Sequence, residues 1–315
     1  MIAPFADRLC RRMIDLRSRV CLGLDPDLSR MPEPLLRRHG LRPDGLASGP
    51  QWFRRAAACA REFCEAAMEA AGSGCAAVKP QMAWFEILGA PGMQALRAVA
   101  LKAMRLGLPV ILDGKRNDIG HTAAQYARAY LGPARGPEAA AVPADALTVT
   151  PYLGSDGLRP FIQRCLAHQK GVFVLAATSN PSGAEIQDLP LSEGGVVADR
   201  AAALIRACGD GLAGAFGYGP AGAVVGATRP EMLARLRGAM PESIFLLPGF
   251  GAQGARAEDI GAAFDERGLG AVVNASRSLL FGPAGSPDKE DFARNIANRT
   301  ENMRREIENA LALEG

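Results

Sequence analysis

Leu112-Asp113-Gly114-Lys115-Arg116-Asn117-Asp118-Ile119-Gly120-His121-Thr122 lies between two runs of different character. Before it, Leu108-Pro109-Val110-Ile111-Leu112 opens on a proline and continues with aliphatic residues, the pattern of a buried strand. After it, an alanine-rich run from Thr122 stops at Gly132-Pro133, the pattern of a helix, and Thr122 and Gln125 have the spacing of a capping box. The charges therefore fall where a strand ends and before a helix begins. Alternation along the strand puts Asp113 and Lys115 on one face, with Asp118 beyond it on the turn. Charges gathered at the mouth of a buried strand are costly to desolvate. Loops that follow such strands are where α/β proteins place chemistry. A salt bridge on a surface loop is the competing reading.

Outward from this stretch the same unit recurs. Buried strands are expected at 20–24, 75–79, 108–112, 146–150, 171–177, 221–225, 244–247 and 271–273, each followed by a helix. Helices are expected at 52–71, 91–106, 158–167, 194–208 and 229–239, and a last one at 288–311. Segment 28–50, rich in Pro, Arg and Gly, reads as an irregular excursion, and 133–144 as an insertion. Eight strand–helix units in one chain of 315 residues predict an α/β fold, a single (β/α)8 TIM barrel with a parallel eight-stranded core, forming one domain over 1–315. A doubly wound open sheet is the alternative. Against it, no G-x-G-x-x-G follows the first strand, and Gly217-Tyr-Gly219 precedes the sixth strand, in the wrong context.

Composition narrows the function. Apolar residues at 48% suffice for a large core, and charged residues at 22% argue against disorder. A net charge of +3 from scattered basic residues gives no nucleic-acid footprint, and Arg11-Arg12 and Arg37-Arg38 read as solvated helix faces. The 7 cysteines form no C-x-x-C pair and several sit in apolar runs, so they read as reduced core residues of a cytoplasmic protein. No stretch has the length of a membrane span or the pattern of a signal peptide. His39, His121 and His168 lie at no metal-ligand spacing, so no metal is expected, and no G-x-S-x-G elbow accompanies a possible triad.

In a barrel the active site is built at the carboxyl ends of the strands. Those ends carry Asp25, then Lys79, then Asp113 and Lys115 with Asp118 beyond, then Thr178 and Ser179, then a glycine-rich loop with Gln253, then Arg277. The strand bodies are apolar, so this placement is not random. Gly249 and Gly251 let backbone N–H groups approach an anion, and Arg277 adds a planar fork of donors, which together suit a phosphate. The competing reading is a tight turn followed by a helix cap.

These residues resemble a known family. Asp113-Gly-Lys115-Arg-Asn-Asp118-Ile119 with Thr122 is similar to the D-x-K-x-x-D-I-x-x-T signature of the orotidine 5′-monophosphate decarboxylases. Val20-Cys-Leu-Gly-Leu-Asp25-Pro26 and Val78-Lys79-Pro-Gln81 with Phe85-Glu86 resemble the first two strand ends of the longer bacterial branch, type 2. Ser179-Asn-Pro-Ser-Gly183, Val225-Gly-Ala-Thr228, Pro248-Gly-Phe-Gly-Ala-Gln253-Gly254 and Asn274-Ala-Ser-Arg277-Ser278 resemble the remaining ones.

The resemblance implies an Asp-Lys-Asp-Lys array of Lys79, Asp113, Lys115 and Asp118, with Asp118 reaching the neighbouring subunit's site in a homodimer. It implies that Asp25 contacts the ribose and that Thr122, also from the partner, lies near ribose and phosphate. Ser179 would contact the pyrimidine, Gln253 bridge base and phosphate, and Arg277 hold the phosphate. It implies a carboxy-lyase of pyrimidine biosynthesis that converts orotidine monophosphate to UMP and CO₂ without a cofactor, with Lys115 as proton donor. No phosphoribosyltransferase segment accompanies the barrel, so a monofunctional enzyme is expected. Segments 28–50 and 133–144 depart from compact members and bear on the lid and the dimer surface. Two alternatives stand: a Mg²⁺-dependent sugar-phosphate decarboxylase or aldolase of the same superfamily, and a non-catalytic nucleotide-binding barrel.

Overall fold

The computed structural model of the chain describes residues 2–42, 49–250, 257–282 and 291–313. Eight strands form one all-parallel sheet: β1 (Val20–Leu24), β2 (Ala77–Pro80), β3 (Ile111–Arg116), β4 (Ala146–Val149), β5 (Gly171–Ala177), β6 (Ala221–Val225), β7 (Phe245–Leu247) and β8 (Ala271–Ala275). The ladder runs β2-β1-β8-β7-β6-β5-β4-β3. Parallel bridges Val78↔Val110 and Gln81↔Asp113 join β2 to β3 and close the ring. This is the expected (β/α)8 barrel.

The helices are α1 (Phe5–Leu16), α2 (Glu33–Arg38), α3 (Pro50–Ala71), α4 (Ala83–Glu86), α5 (Gly89–Arg105), α6 (Gly120–Tyr130), α7 (Ser155–His168), α8 (Ala184–Gln187), α9 (Val197–Gly209), α10 (Pro230–Ala239), α11 (Arg277–Leu280) and α12 (Phe292–Leu313). Two apolar layers result. One packs the outer faces of the strands against the ring of helices. The other fills the barrel's amino-terminal end, where Phe5, Leu9, Cys10 and Met13 of α1 pack against Ile111, Phe173 and Val272. Phe5 meets Phe173 edge-on, with ring centroids 6.1 Å apart. A Cβ on Gly171 would come within 2.6 Å of the Phe5 ring, so the close approach of α1 requires glycine there.

Several expectations are corrected. The third strand lies later than 108–112 and carries the charged stretch through Arg116. Thr122 does not cap α6: Ile119 holds the cap position with no side-chain bond, and Thr122 lies inside the first turn. The excursion 28–50 is partly helical, because Leu35 and Leu36 bury one face of α2. Among the described residues, β7 is followed by short 3₁₀ turns at Ala257–Asp259 and Gly261–Ala263 in place of an α-helix. The final helix starts at Phe292 rather than 288, and 288–290 fall outside the described residues. Segment 133–144 is irregular as expected, held by Arg97 on the carbonyls of Ala140 and Ala141 and by Arg164 on Glu138. Arg12 is no solvated face: it donates to the carbonyls of Gly72, Cys75 and Gly107. All seven cysteines are unpaired, six of them buried.

Candidate active site

Lys79 lies near the end of β2 and Asp113 lies in β3, and both are buried, with side chains 6% and 9% exposed. Lys79 Nζ donates to Asp113 Oδ2 at 2.8 Å, and Gln81 Nε2 donates to the same oxygen at 3.0 Å. Lys115 Nζ donates to Asp113 Oδ1 at 2.5 Å. Asp113 thus binds one cation on each oxygen; Lys115 reaches it across a register shift in β3 rather than by the regular alternation expected of the strand. The two lysines differ in setting: the Lys115 side chain is 48% exposed and opens to the mouth of the barrel.

The charges are fixed by this arrangement. Burial alone would raise the Asp113 carboxyl, but Lys79 and Lys115 outweigh it and hold it far below the usual carboxylate range. Burial alone would lower the Lys79 ammonium, but Asp113 and Asp25 outweigh it and raise it. Asp25, at the end of β1, goes the other way. Burial pushes its carboxyl up, against the pull of Lys79 and the Ser276 hydroxyl. Its Oδ1 is buried without a protein partner. A buried oxygen left this way is where a ligand hydroxyl can bind.

A cavity of about 230 Å³ opens over the array. Lys79, Asp113, Lys115 and Thr148 form its charged side, Leu175, Val224 and Leu246 its apolar floor, and Thr178, Ser179 and Asn180 its rim. The rim is stapled from α8: Gln187 accepts from the Thr178 N–H and donates to the Thr178 hydroxyl, both at 2.8 Å. A Cβ on Gly226 would meet the Ser179 backbone at 2.9 Å, so the glycine just after β6 lets the turn lie this close. Next to the array, Arg116 bonds Glu86 and lies over the rings of Tyr126 and Tyr130, anchoring the end of β3.

The remaining expected residues are spread around the mouth. Gly249 follows Pro248 on the cavity wall and has φ +99°, a left-handed conformation that glycine accommodates. Gly251 and Gln253 lie outside the described residues. Arg277 starts α11 and is exposed, and its side chain has no bonded partner among the described residues. Asp118 does not meet its own Lys115: its Oδ1 accepts from the Ile119 N–H at 2.8 Å. Thr122 is exposed on α6. Gln81, Thr148, Gln187 and Ser276 were not foreseen as site residues. Gln81 shares the face of Lys79 by strand alternation, and Thr148 is a polar residue inside an apolar strand, so both carried a readable signal.

Fold and site define a (β/α)8 barrel enzyme that presents alternating fixed charges, and one unpartnered carboxylate oxygen, to a small polar ligand at the carboxyl ends of its strands. The profile of the orotidine 5′-phosphate decarboxylase / HUMPS family matches residues 18–289. The orotidine 5′-phosphate decarboxylase of Rhodopirellula baltica is 47% identical over 280 residues, covering 88% of each chain. That of Deinococcus radiodurans is 41% identical over 283 residues, 89% of this chain and 90% of the other. The solved structure of Leishmania donovani OMP decarboxylase, 32% identical, superposes with a TM-score of 0.67 over 96% of this chain and 99% of that one. The chain belongs to the orotidine 5′-phosphate decarboxylase / HUMPS family.

Proposed function

We propose that this barrel decarboxylates orotidine 5′-monophosphate to UMP and CO₂ at the Lys79–Asp113–Lys115 array, with no metal or organic cofactor. Membership of the family makes the chain a carboxy-lyase of pyrimidine biosynthesis. The observation that carries the reading is Asp113, held anionic between two ammonium groups against a small cavity. The C–C bond to the carboxylate breaks, CO₂ leaves, and the electron pair stays on the ring carbon. Lys115 Nζ gives that carbon a proton, and the amine regains one from water.

Magnitudes assign the roles. Repulsion between Asp113 and a substrate carboxylate about 4 Å away is worth on the order of 4 kcal/mol at an effective dielectric of 20. Enzymes remove roughly 8–23 kcal/mol from such barriers. Stabilisation of the developing carbanion by Lys115 is therefore the larger contribution. Asp25, with its buried unpartnered oxygen, takes a ribose hydroxyl. Ser179 takes the base, and Gly249, Gly251, Gln253 and Arg277 take the phosphate, whose binding energy closes the site. Lys79 stands beside Asp113 and is drawn to Asp25, occupying with an ammonium the place a divalent cation would need.

The working unit is a cytoplasmic homodimer of single-domain chains whose sites are shared, with the partner subunit's Asp118 completing each array and the partner subunit's Thr122 lying near ribose and phosphate. Asp118 turned away from its own Lys115 supports this, as do the exposed apolar side chains of Ile119, Tyr152 and Leu153. Among the described residues no helix is long and apolar enough to cross a membrane. The test is an ultraviolet assay of orotidine monophosphate consumption with and without EDTA. Full turnover after exhaustive chelation is expected; activity that vanishes with EDTA and returns with Mg²⁺ overturns the assignment.

A further inference from the structure

Lys115 has φ +44°, a left-handed backbone that a side-chain-bearing residue rarely adopts and that something must hold. The strand pairing shows why it is needed. Leu112 pairs with Leu147 and Arg116 with Val149, so Asp113, Gly114 and Lys115 together face Thr148 of β4. This bulge re-aims side chains and takes the Lys115 N–H out of the ladder. Thr148, buried in β4, accepts that orphaned N–H on its hydroxyl oxygen at 2.9 Å. The same oxygen lies 2.9 Å from Asp113 Oδ1. With its oxygen accepting from Lys115, the hydroxyl's own hydrogen is the one shared with the carboxylate. A closed ring results: Lys115 N–H to Thr148 Oγ1, Thr148 O–H to Asp113 Oδ1, and Lys115 Nζ to that same Oδ1.

We propose that Thr148 is a positioning residue: its hydroxyl clamps the backbone and, through Asp113, the ammonium of Lys115, fixing the proton donor against the reacting carbon. This rests on the reading of Lys115 as the reacting group. Thr148 acts through Lys115 and Asp113, so its loss moves the chemical step more than ligand binding. Within the bulge, a Cβ on Gly114 would come within 2.5 Å of Met82 Sδ, so β3 lies directly against the segment after β2.

The test compares Thr148→Val, which keeps the branched shape and loses the hydroxyl, with Thr148→Ser, which keeps the hydroxyl. Displacing a reacting group by about 1 Å costs on the order of a hundredfold. Thr148→Val should therefore lose about a hundredfold in kcat, with KM and UMP affinity little changed, and Thr148→Ser should stay within a few-fold of the parent. Should the valine variant not fold, Thr148→Ala takes its place against the serine. An unchanged kcat without the hydroxyl overturns the proposal, as does a serine variant no better than valine. Equal loss of UMP affinity and kcat overturns it too, since that marks a packing role. If the parent enzyme itself leaves orotidine monophosphate unchanged, the functional reading falls instead, so the two failures are told apart.

Discussion

The two ends of the barrel each bury an aspartate between cations, and they are built differently. At the amino-terminal end Asp145, immediately before β4, accepts from Arg8 Nη2 at 2.8 Å and Lys170 Nζ at 3.3 Å on one oxygen, and from the Val110 N–H at 3.0 Å on the other. Both oxygens are satisfied, α1 packs beside them, and neither Asp145 nor Lys170 has a left-handed backbone. At the carboxyl-terminal end Asp113 is equally well bonded, but its surroundings are not relaxed. Lys115 is half-exposed and left-handed, and the neighbouring Asp25 keeps an unpartnered buried oxygen. At one end the carboxylate is satisfied on both oxygens within the chain; at the other a buried carboxylate oxygen is left without a protein partner. Barrels commonly divide stability from chemistry in this way.

The largest expected effect separates the ends outright. Lys115→Ala should lower kcat by many orders of magnitude and leave UMP affinity far less changed, because the lysine acts on charge present only in the transition state. Lys170, its counterpart at the amino-terminal end, is paired with Asp145 and should show no such loss when replaced. A loss in Lys115→Ala below about tenfold, worth ~1.4 kcal/mol, would remove Lys115 from the chemistry and with it the contrast.

The second effect asks whether the open end is finished by another chain. Lys115→Ala and Asp118→Ala should each be nearly inactive. In a mixed dimer one site collects both defects, and the other takes Lys115 from one chain and Asp118 from its partner. With equal amounts and random pairing, about half the dimers are mixed and about a quarter of all sites recover. Mixed chains that exchange subunits and regain nothing would place Asp118 in its own site.

How far the two ends could be read in advance follows from where their contacts lie in sequence. The charges at the strand ends were legible because barrel geometry needs only local pattern, as Lys79 and Asp113 show, whereas Lys115 joins Asp113 through a bulge and not through the expected alternation. The extent of β3 was not, since Asp-Gly-Lys-Arg has poor strand propensity and is held there by pairing with β2 and β4. The Thr122–Gln125 spacing misled because a capping box is satisfied by backbone position, and α6 starts earlier at Gly120. Arg12 looked solvated in isolation. Its partners, the carbonyls of Gly72, Cys75 and Gly107, lie far along the chain. Thr148 stood out as a polar residue in an apolar strand, but its partners were not legible because they depend on the bulge opposite it. The expected phosphate residues Gly251 and Gln253 fall outside the described residues.

The smallest effect is one of stability, and its sign differs between the ends. Burial would raise Asp145, but Lys170 and Arg8 outweigh it and lower its pKa. A carboxyl lowered on folding stabilises the protein above its unfolded value of about 3.9, and that contribution is lost as pH falls through the folded value. Asp145→Asn strands Lys170 without its counter-charge and should cost about 3–5 kcal/mol at neutral pH. Asp25 has its pKa raised, mainly by burial. Between the unfolded value and the raised one the folded state binds more protons than the unfolded state, so stability falls as pH rises through that window. Above it the buried carboxylate is a net cost, which a hydroxyl of the proposed ligand, bound to the unpartnered oxygen, would offset. Asp25→Asn should therefore be more stable than the parent at neutral pH, lose the decline with pH just above the carboxylate range, and bind UMP less well. Urea unfolding of the three proteins across that range measures all of this. An Asp25→Asn protein destabilised at neutral pH as Asp145→Asn is would mean that both ends are built for stability alike.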